Sequence, residues 1–263
     1  MILGITGMVI DKSGNRGSAG AGKSTVADRL IDKHGFTAVG FADVMKRFAM
    51  NLFDWTPEQL FGSTELKNVP DARYPISCTN CGCRGRSIKS QFCSTECYNG
   101  FHANLGFPEY QGRMCLEASD EYLTPRETLQ QLGTWGRECY PDIWAQYAMR
   151  VAKELLEGGY VYSPEKGLQS EYGHPNSPQF PYKGVCFSDV RFKNELAVIK
   201  REGGKVIRVV RPVEELFISN EHESENNLND VPDEEFDYVI MGRPKDVPDL
   251  QLRTDYMLNE LNR

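Results

Sequence analysis

The stretch Gly17-Ser-Ala-Gly-Ala-Gly-Lys23-Ser24-Thr25 decides the fold class of this 263-residue chain. Its spacing, Gly-x-x-x-x-Gly-Lys-Ser, is that of a phosphate-binding loop, whose backbone N–H groups surround phosphate oxygens. Glycine lets the backbone approach the anion, while the lysine reaches the terminal phosphates and the serine hydroxyl ligates Mg²⁺. The pattern predicts a triphosphate site made of Gly17, Gly20, Ala21, Gly22, Lys23, Ser24 and Thr25.

The residues around the loop fit this prediction, with one irregularity. An apolar run, Ile2 to Thr6, predicts a strand that ends at Gly7, and Ser24 to His34 has apolar residues at helical spacing. Ten residues, 8–17, separate this strand from the loop, and without them Gly7 would open a complete motif. Either Gly7 or Gly17 can therefore be the first glycine. We interpret 8–17 as a surface excursion, with a flap over the nucleotide as the alternative.

Strands and helices alternate along most of the chain. Further strands are predicted at Phe36 to Phe41, Gly184 to Ser188, Lys205 to Val210 and Tyr238 to Met241. A helical pattern begins at the capping box Thr124-Pro-Arg-Glu127 and stops at Gly158. The alternation predicts an α/β fold, the three-layer doubly wound parallel sheet of P-loop NTPases. The predicted core is 1–70 and 121–263, with loop insertions at 8–17 and 160–183 and a separate module at 71–120.

Composition narrows the partners and the compartment. A formal net charge of −7 argues against a broad nucleic-acid interface, which usually shows as a basic surface. No apolar stretch reaches the roughly 20 residues of a membrane span, and the N-terminus lacks the basic start of a signal peptide. We expect a cytoplasmic protein that does not enter membranes, in the host cytoplasm if a phage encodes it.

Cysteines cluster in the predicted module. Cys78-x-x-Cys81 and Cys93-x-x-x-Cys97 supply two pairs of thiolates, the set that structural Zn²⁺ sites use, and the second pair has the form of a treble-clef knuckle. Cys83 and His102 are alternative ligands. A disulfide pair is the competing interpretation, but it needs an oxidising compartment. Four protein ligands leave no open coordination position, so we assign this zinc a structural role.

Charged residues follow the predicted strands and lie along one helix. Asp43 and Lys46 come after the second strand, and Asp189 and Arg191 follow the strand that ends at Ser188. Ligands of open α/β sheets bind at these carboxyl ends. One predicted helix carries Arg126, Gln130 and Arg137. These charges predict a second anionic ligand beside the triphosphate.

Together the motifs resemble the deoxynucleoside monophosphate kinases of bacteriophages and their relatives. The resemblance is collinear and covers most of the chain outside the insertions 8–17, about 71–120 and about 160–183. It rests on Gly4-Ile-Thr-Gly7 and the loop, Phe41-Ala-Asp-Val-Met-Lys46, Glu65-Leu-Lys67, Pro125-Arg-Glu-Thr-Leu-Gln-Gln-Leu-Gly133, Trp135-Gly-Arg137, Ser188-Asp-Val-Arg-Phe-Lys-Asn-Glu195, Val206-Ile-Arg208 and His222-Glu-Ser-Glu225.

The resemblance implies transfer of the ATP γ-phosphoryl group to a deoxynucleoside 5′-monophosphate. Lys23 and Mg²⁺ on Ser24 would serve the donor, Asp189 would complete the metal shell, and Arg191 would bridge the phosphates in the transition state. The implied catalytic set is Lys23, Asp189, Arg191 and Arg126. The implied acceptor-binding set is Asp43, Lys46, Lys67, Arg126, Gln130, Arg137 and Glu225.

Other interpretations stay open at this point. Lys46, Lys67 and Arg137 can be solvated charges, and Asp43 can be a helix cap. The chain can be another small-molecule P-loop kinase, such as a dephospho-coenzyme A kinase, or a nucleic-acid-binding regulatory ATPase that uses its zinc module. The preferred base, the preferred sugar and the oligomeric state, with a homodimer among the candidates, are not determined by the sequence.

Overall fold

A computed structural model describes residues 1–17, 20–76, 82, 95–104, 122–170, 182–214, 228–244 and 246–263. The chain divides into two compact units, Met1–Val44 with Gly136–Arg263, and Met45–Trp135. The strands are β1 (Ile2–Ile10), β2 (Arg16–Gly17), β3 (Phe36–Ala38), β4 (Tyr160–Ser163), β5 (Gly167–Ser170), β6 (Gly184–Phe187), β7 (Lys205–Pro212) and β8 (Tyr238–Met241). The helices are α1 (Lys23–His34), α2 (Asp43–Phe53), α3 (Pro57–Phe61), α4 (Thr64–Lys67), α5 (Thr95–Ala103), α6 (Pro125–Cys139), α7 (Ile143–Glu157), α8 (Lys193–Arg201) and α9 (Val247–Leu261).

The first unit is built on a sheet of five parallel strands in the order β3-β6-β1-β7-β8. β1 lies at the centre, with Gly4 opposite both Phe187 of β6 and Val206 of β7. Successive side chains of a strand point to opposite faces. Leu3, Ile5 and Ile207 belong to one apolar cluster with α1 and α9, whereas Val185, Phe187 and Val206 belong to another with α7 and α8. These three layers confirm the predicted α/β class.

Segment 8–17 extends the sheet, so the prediction that the first strand ends at Gly7 was wrong. β1 continues to Ile10 and pairs with β7 through Pro212, and β2 returns antiparallel beside it. Met8 and Val9 are only 4% and 3% exposed. Asp11 closes the hairpin turn, because its carboxylate accepts the backbone N–H groups of Ser13 and Asn15. Met8 and Val9 are therefore core residues, in contrast to the predicted surface excursion.

Two further elements differ from the sequence predictions. The helical pattern after Thr124 forms two helices, α6 and α7, separated at Tyr140-Pro141-Asp142 because the residue before a proline is disfavoured in a helix. The segment predicted as a long loop, 160–183, begins with the antiparallel hairpin of β4 and β5. Alternation over only four residues per strand, with Gly167 at a positive φ, is too short a signal to find in sequence.

The second unit has a small core of its own. Ala49, Trp55 and Leu60 are its buried residues, and Trp55 stacks on Phe53 with the ring centroids 4.8 Å apart. A capping box formed by Thr56 and Gln59 is present at the start of α3. An antiparallel bridge joins Pro75 to Tyr122, so the two ends of the segment between them lie side by side. Adjacent ends are what an inserted module requires. The module bounds, 71–120, stay a prediction.

Among the residues that the structure describes, no helix combines the length and the apolar character that crossing a bilayer requires.

Candidate functional site

The glycine-rich loop leads directly into α1. Gly22 has φ 100°, in the left-handed region that favours glycine, and α1 begins at the next residue, Lys23. A Cβ on Gly22 would lie 2.7 Å from Leu250 Cδ2, so the close packing of α9 also requires glycine there. Lys23, Ser24 and Thr25 form the first turn, where the unpaired N–H groups of a helix and its dipole favour an anion.

Gly7 and Gly17 have different surroundings. Gly17 pairs with Val9 in the hairpin. Gly7 lies in the middle of β1, and a Cβ on it would lie 2.7 Å from Ala21 Cβ and 2.8 Å from Lys23 Cγ. After the hairpin formed by β1 and β2, the chain therefore packs Ala21 and Lys23 against Gly7. Gly7 provides the close approach that a first loop glycine usually gives, although it is ten residues from Gly17 in sequence.

Lys23 and Asp189 meet where the chain direction across the sheet reverses. β1 connects to β3 through α1 on one face, and its neighbour β6 connects to β7 through α8 on the other. Ligands of doubly wound sheets bind at the carboxyl ends of strands at such a switch point. Here Lys23 Nζ lies 3.7 Å from Asp189 Oδ1, and Arg191 Nε donates to Asp189 Oδ2 at 2.7 Å.

Glu195, which sequence reasoning did not single out, holds the loop after β6 through hydrogen bonds to its backbone. Glu195 is buried, and its Oε2 accepts the backbone N–H groups of Arg191 and Phe192 at 2.8 Å and 3.1 Å. Burial raises the pKa of Glu195 to about 7, against the lowering effect of those two N–H donors. A glutamate three residues into a helix is the sequence sign of this capping arrangement.

The structure brings Arg137 to the same loop. Its guanidinium carbon lies 4.7 Å from the centroid of the Phe192 ring, a cation–π contact that holds the arginine beside the residues after β6. Of the residues predicted for the acceptor, Arg137 thus lies in the first unit and contacts Phe192, the residue that follows Arg191.

Asp43 has a structural partner on each side. Its Oδ2 accepts the backbone N–H of Gly40 and the hydroxyl of Tyr162, each at 2.8 Å, and the residue is 5% exposed. A Cβ on Gly40 would lie 2.6 Å from Asp43 Oδ1, so glycine is needed for the carboxylate to fold back. The hydrogen bonds tie the start of α2 to the hairpin that begins with β4. They favour a role in shaping the loop after β3.

Arg211 is a second residue that the sequence did not indicate as part of the site. It lies near the end of β7, opposite Val9, and its Nη1 donates to the carbonyl oxygen of Gly20 at 2.7 Å. Its Nε is buried and has no acceptor within the part of the chain that the structure describes. A charge near the end of the predicted strand Lys205 to Val210 was the signal that could have found it, as a charge after the preceding strand indicated Asp189.

The remaining acceptor candidates lie in the second unit. Lys46 is on α2, with its Nζ 4.6 Å from the centroid of the Phe61 ring. Lys67 is the last residue of α4. Arg126 is exposed and Gln130 half-buried, both on α6, which starts at the predicted capping box where Glu127 accepts the backbone N–H of Thr124. Their role in acceptor binding stays a prediction.

Four predicted site residues lie outside the described residues: Cys78, Cys81, Cys93 and Glu225. Cys97, the fourth predicted zinc ligand, is half-buried on α5. In the described ranges, which omit most of the cysteine cluster, no group of three or more potential metal ligands is found. The zinc site therefore stays a prediction. A magnesium ion bound with ATP needs only one or two protein ligands in addition to phosphate oxygens, and Ser24 and Asp189 are of the required type.

Comparison with known proteins supports the resemblance to deoxynucleoside monophosphate kinases. The chain is 26% identical over 229 residues to a protein of Acanthamoeba polyphaga mimivirus described as "Putative deoxynucleotide monophosphate kinase". The similarity covers 87% of this chain and 86% of the viral protein. No protein-family model matches the chain. The similarity therefore extends along most of both proteins.

Proposed function

We propose that the protein transfers the γ-phosphoryl group of ATP to a deoxynucleoside 5′-monophosphate. The observation that carries the proposal is the approach of Lys23 to Asp189 at the switch point of the sheet, directly beside the N-terminus of α1. The viral relative, which aligns along nearly the whole chain and carries the name of such a kinase, supports the nature of the acceptor.

In the proposed reaction, an oxygen of the acceptor monophosphate attacks the γ-phosphorus while the bond to the bridging oxygen of ADP breaks. ADP leaves with the electron pair of that bond. No covalent enzyme intermediate is needed, because catalysis consists of alignment and neutralisation of charge. Lys23 would hold the terminal phosphates, and the first-turn N–H groups of α1 would bind them. Arg191, oriented by Asp189, would stabilise the charge of the transferring group.

Magnesium, when bound with ATP, neutralises phosphate charge, and Ser24 and Asp189 would hold it. On the acceptor side we assign the monophosphate to Arg126, Arg137 and Lys46, with Lys67 as a further cation. Gln130 and Glu225 would orient the nucleoside. Asp43 would act indirectly, through the loop that it shapes with Gly40 and Tyr162.

A coupled ADP-release assay across all common deoxynucleoside and ribonucleoside monophosphates tests the proposal. We expect turnover with at least one deoxynucleoside monophosphate and its loss in Lys23→Ala. Lys33→Ala is the matched control, because Lys33 lies at the other end of α1 and pairs with Asp255. Activity across the panel that Lys23→Ala leaves unchanged would refute the proposal. So would phosphorylation of dephospho-coenzyme A in the absence of any activity on nucleotides.

We further propose that Cys78, Cys81, Cys93 and Cys97 bind a structural zinc ion. The two short Cys pairs, eleven residues apart, support this assignment, since tetrahedral thiolate sites use such pairs to fold segments too small for a core of their own. Elemental analysis of the purified protein should find one zinc per chain, lost in Cys93→Ser and retained in Cys139→Ser, which changes an exposed cysteine of α6. A zinc-free protein with intact activity would contradict the assignment.

A further inference from the structure

Where segment 8–17 extends the sheet, Arg211 of β7 contacts the phosphate-binding loop. β1 and β7 continue together past Gly7, pairing Met8 with Val210, Val9 with Arg211 and Ile10 with Pro212. From this added stretch, the Arg211 guanidinium reaches the Gly20 carbonyl oxygen at 2.7 Å. The hairpin thus supports a contact between the sheet and a peptide unit of the loop.

That peptide unit, between Gly20 and Ala21, has a glycine on one side and a buried alanine on the other. Gly20 has φ 76°, and a Cβ on it would meet no atom within 4 Å. Glycine adopts either sign of φ with similar ease, so Gly20 does not by itself fix the plane of this peptide. A phosphate-binding loop, however, functions only while its N–H groups point at the anion.

We propose that Arg211 is a positioning residue, which holds the Gly20–Ala21 peptide in the orientation that binds ATP. In a trans peptide the C=O and N–H bonds point in opposite directions. Drawing the Gly20 carbonyl towards Arg211 therefore turns the Ala21 N–H away from Arg211. Without the arginine, the carbonyl can rotate to the other side, where it would repel phosphate oxygens. The inference rests on the proposed use of ATP and adds a residue outside the sequence motif.

The state of Arg211 fits this role. Its Nη1 is committed to Gly20, while its Nε is buried without an acceptor in the residues described. A buried donor left unpaired is uncommon in folded proteins and needs a compensating reason. Placement of the loop peptide supplies one, because a hydrogen bond from a charged donor is among the stronger ones.

Calorimetric titration with ATP tests the inference without requiring turnover. Arg211→Met keeps the apolar stem and removes the donor, and we expect about tenfold weaker ATP binding, the effect of one charge-assisted hydrogen bond. Arg211→Lys keeps a cationic donor, and its ATP affinity should stay within about threefold of the wild type. Arg201→Met is the matched control, since Arg201 is half exposed at the end of α8. KM for the acceptor should not change in any variant.

Several outcomes would overturn the inference: ATP affinity unchanged in folded Arg211→Met, equal losses for ATP and the acceptor, or Arg211→Lys as weak as Arg211→Met. Circular dichroism establishes folding first. If Arg211→Met does not fold, Arg211→Gln replaces it with the same expectation, because its amide is too short to reach Gly20. A wild-type protein that binds ATP but phosphorylates no nucleotide would refute the proposed acceptor. The ATP titrations of the wild type and the Arg211 variants would still decide the role of Arg211.

Discussion

Gly7→Ala tests whether the contact of β1 with Ala21 and Lys23 sets the position of the phosphate-binding loop. The added Cβ would lie 2.7 Å from Ala21 Cβ and 2.8 Å from Lys23 Cγ, whereas carbon atoms pack at about 3.5–4.0 Å. Ala21 cannot turn its methyl group away, because a Cβ moves only with its backbone. The loop must therefore shift by roughly 1 Å, at a cost in unfolding free energy of about 1–3 kcal/mol.

A shift of that size moves the Lys23 ammonium and the loop N–H groups relative to the phosphates. Misplacement by about 1 Å can reduce a rate about 100-fold, so we expect kcat/KM for ATP to fall by that order. The assay is ADP release at saturating acceptor, with ATP varied, together with ATP calorimetry. Urea unfolding measures the loss of stability separately.

Gly14→Ala is the control for Gly7→Ala. Gly14 has φ 84°, and a Cβ on it would meet no atom within 4 Å, so alanine there is strained only by its backbone conformation. It should lower the unfolding free energy by about 1–2 kcal/mol and leave the ATP kinetics unchanged. Wild-type kinetics in Gly7→Ala, or an equal kinetic loss in Gly14→Ala, would refute the reasoning that the β1 contact sets the position of the loop.

Three further substitutions test ionisable side chains in the first unit. Asp255→Asn should cost about 2 kcal/mol near neutral pH. Hydrogen bonds with Arg29, Lys33 and His34 hold the Asp255 pKa below its usual range, so its stabilisation is present above about pH 3.9 and is lost on further acidification, as acid titration of unfolding would show. Burial raises the Glu195 pKa, so the unfolding free energy of the wild type should fall by up to about 3 kcal/mol as the pH rises from 4.5 through about 7. Glu195→Gln should remove this fall, as urea unfolding at several pH values would show. Arg208→Met should cost about 2–3 kcal/mol, because it leaves the carbonyls of Leu228 and Val231 without their donor, whereas the half-exposed Asp233 can be solvated. Arg201→Met should cost little, and equal losses would contradict this account.

The sequence predicted β6 well because this strand is buried on both faces and reads as a continuous apolar run. Tyr238 to Met241 was predicted with its observed bounds, and Gly184 to Ser188 within one residue. The sequence also predicted the capping box of α6, because its signal lies within four residues, Thr124 to Glu127. Local signals of this kind need no knowledge of the remaining chain.

The errors arose where distant residues decide the structure. Nothing in Met8, Val9 and Ile10 distinguishes a surface excursion from a longer strand until their partners on β7 are known. The role of Asp43 in acceptor binding stays a prediction, but its hydrogen bond from Tyr162 was equally hidden from the sequence, since it spans 119 positions of the chain. Arg211 ends an apolar run as Asp189 does, but its acceptor, Gly20, lies 191 positions away.

The hairpin shows how a phosphate-binding loop can tolerate ten residues between its strand and its motif. The insertion pairs much of its own backbone, because it lengthens β1 along β7 and returns antiparallel through β2. The return brings Ala21 and Lys23 back against Gly7, so the geometry at the start of α1 is retained although the sequence distance is not. The same lengthening creates the position from which Arg211 reaches Gly20. A loop displaced in sequence therefore requires an additional support from the sheet, and removing residues 8–17 should remove that support even though the shortened sequence restores an uninterrupted motif.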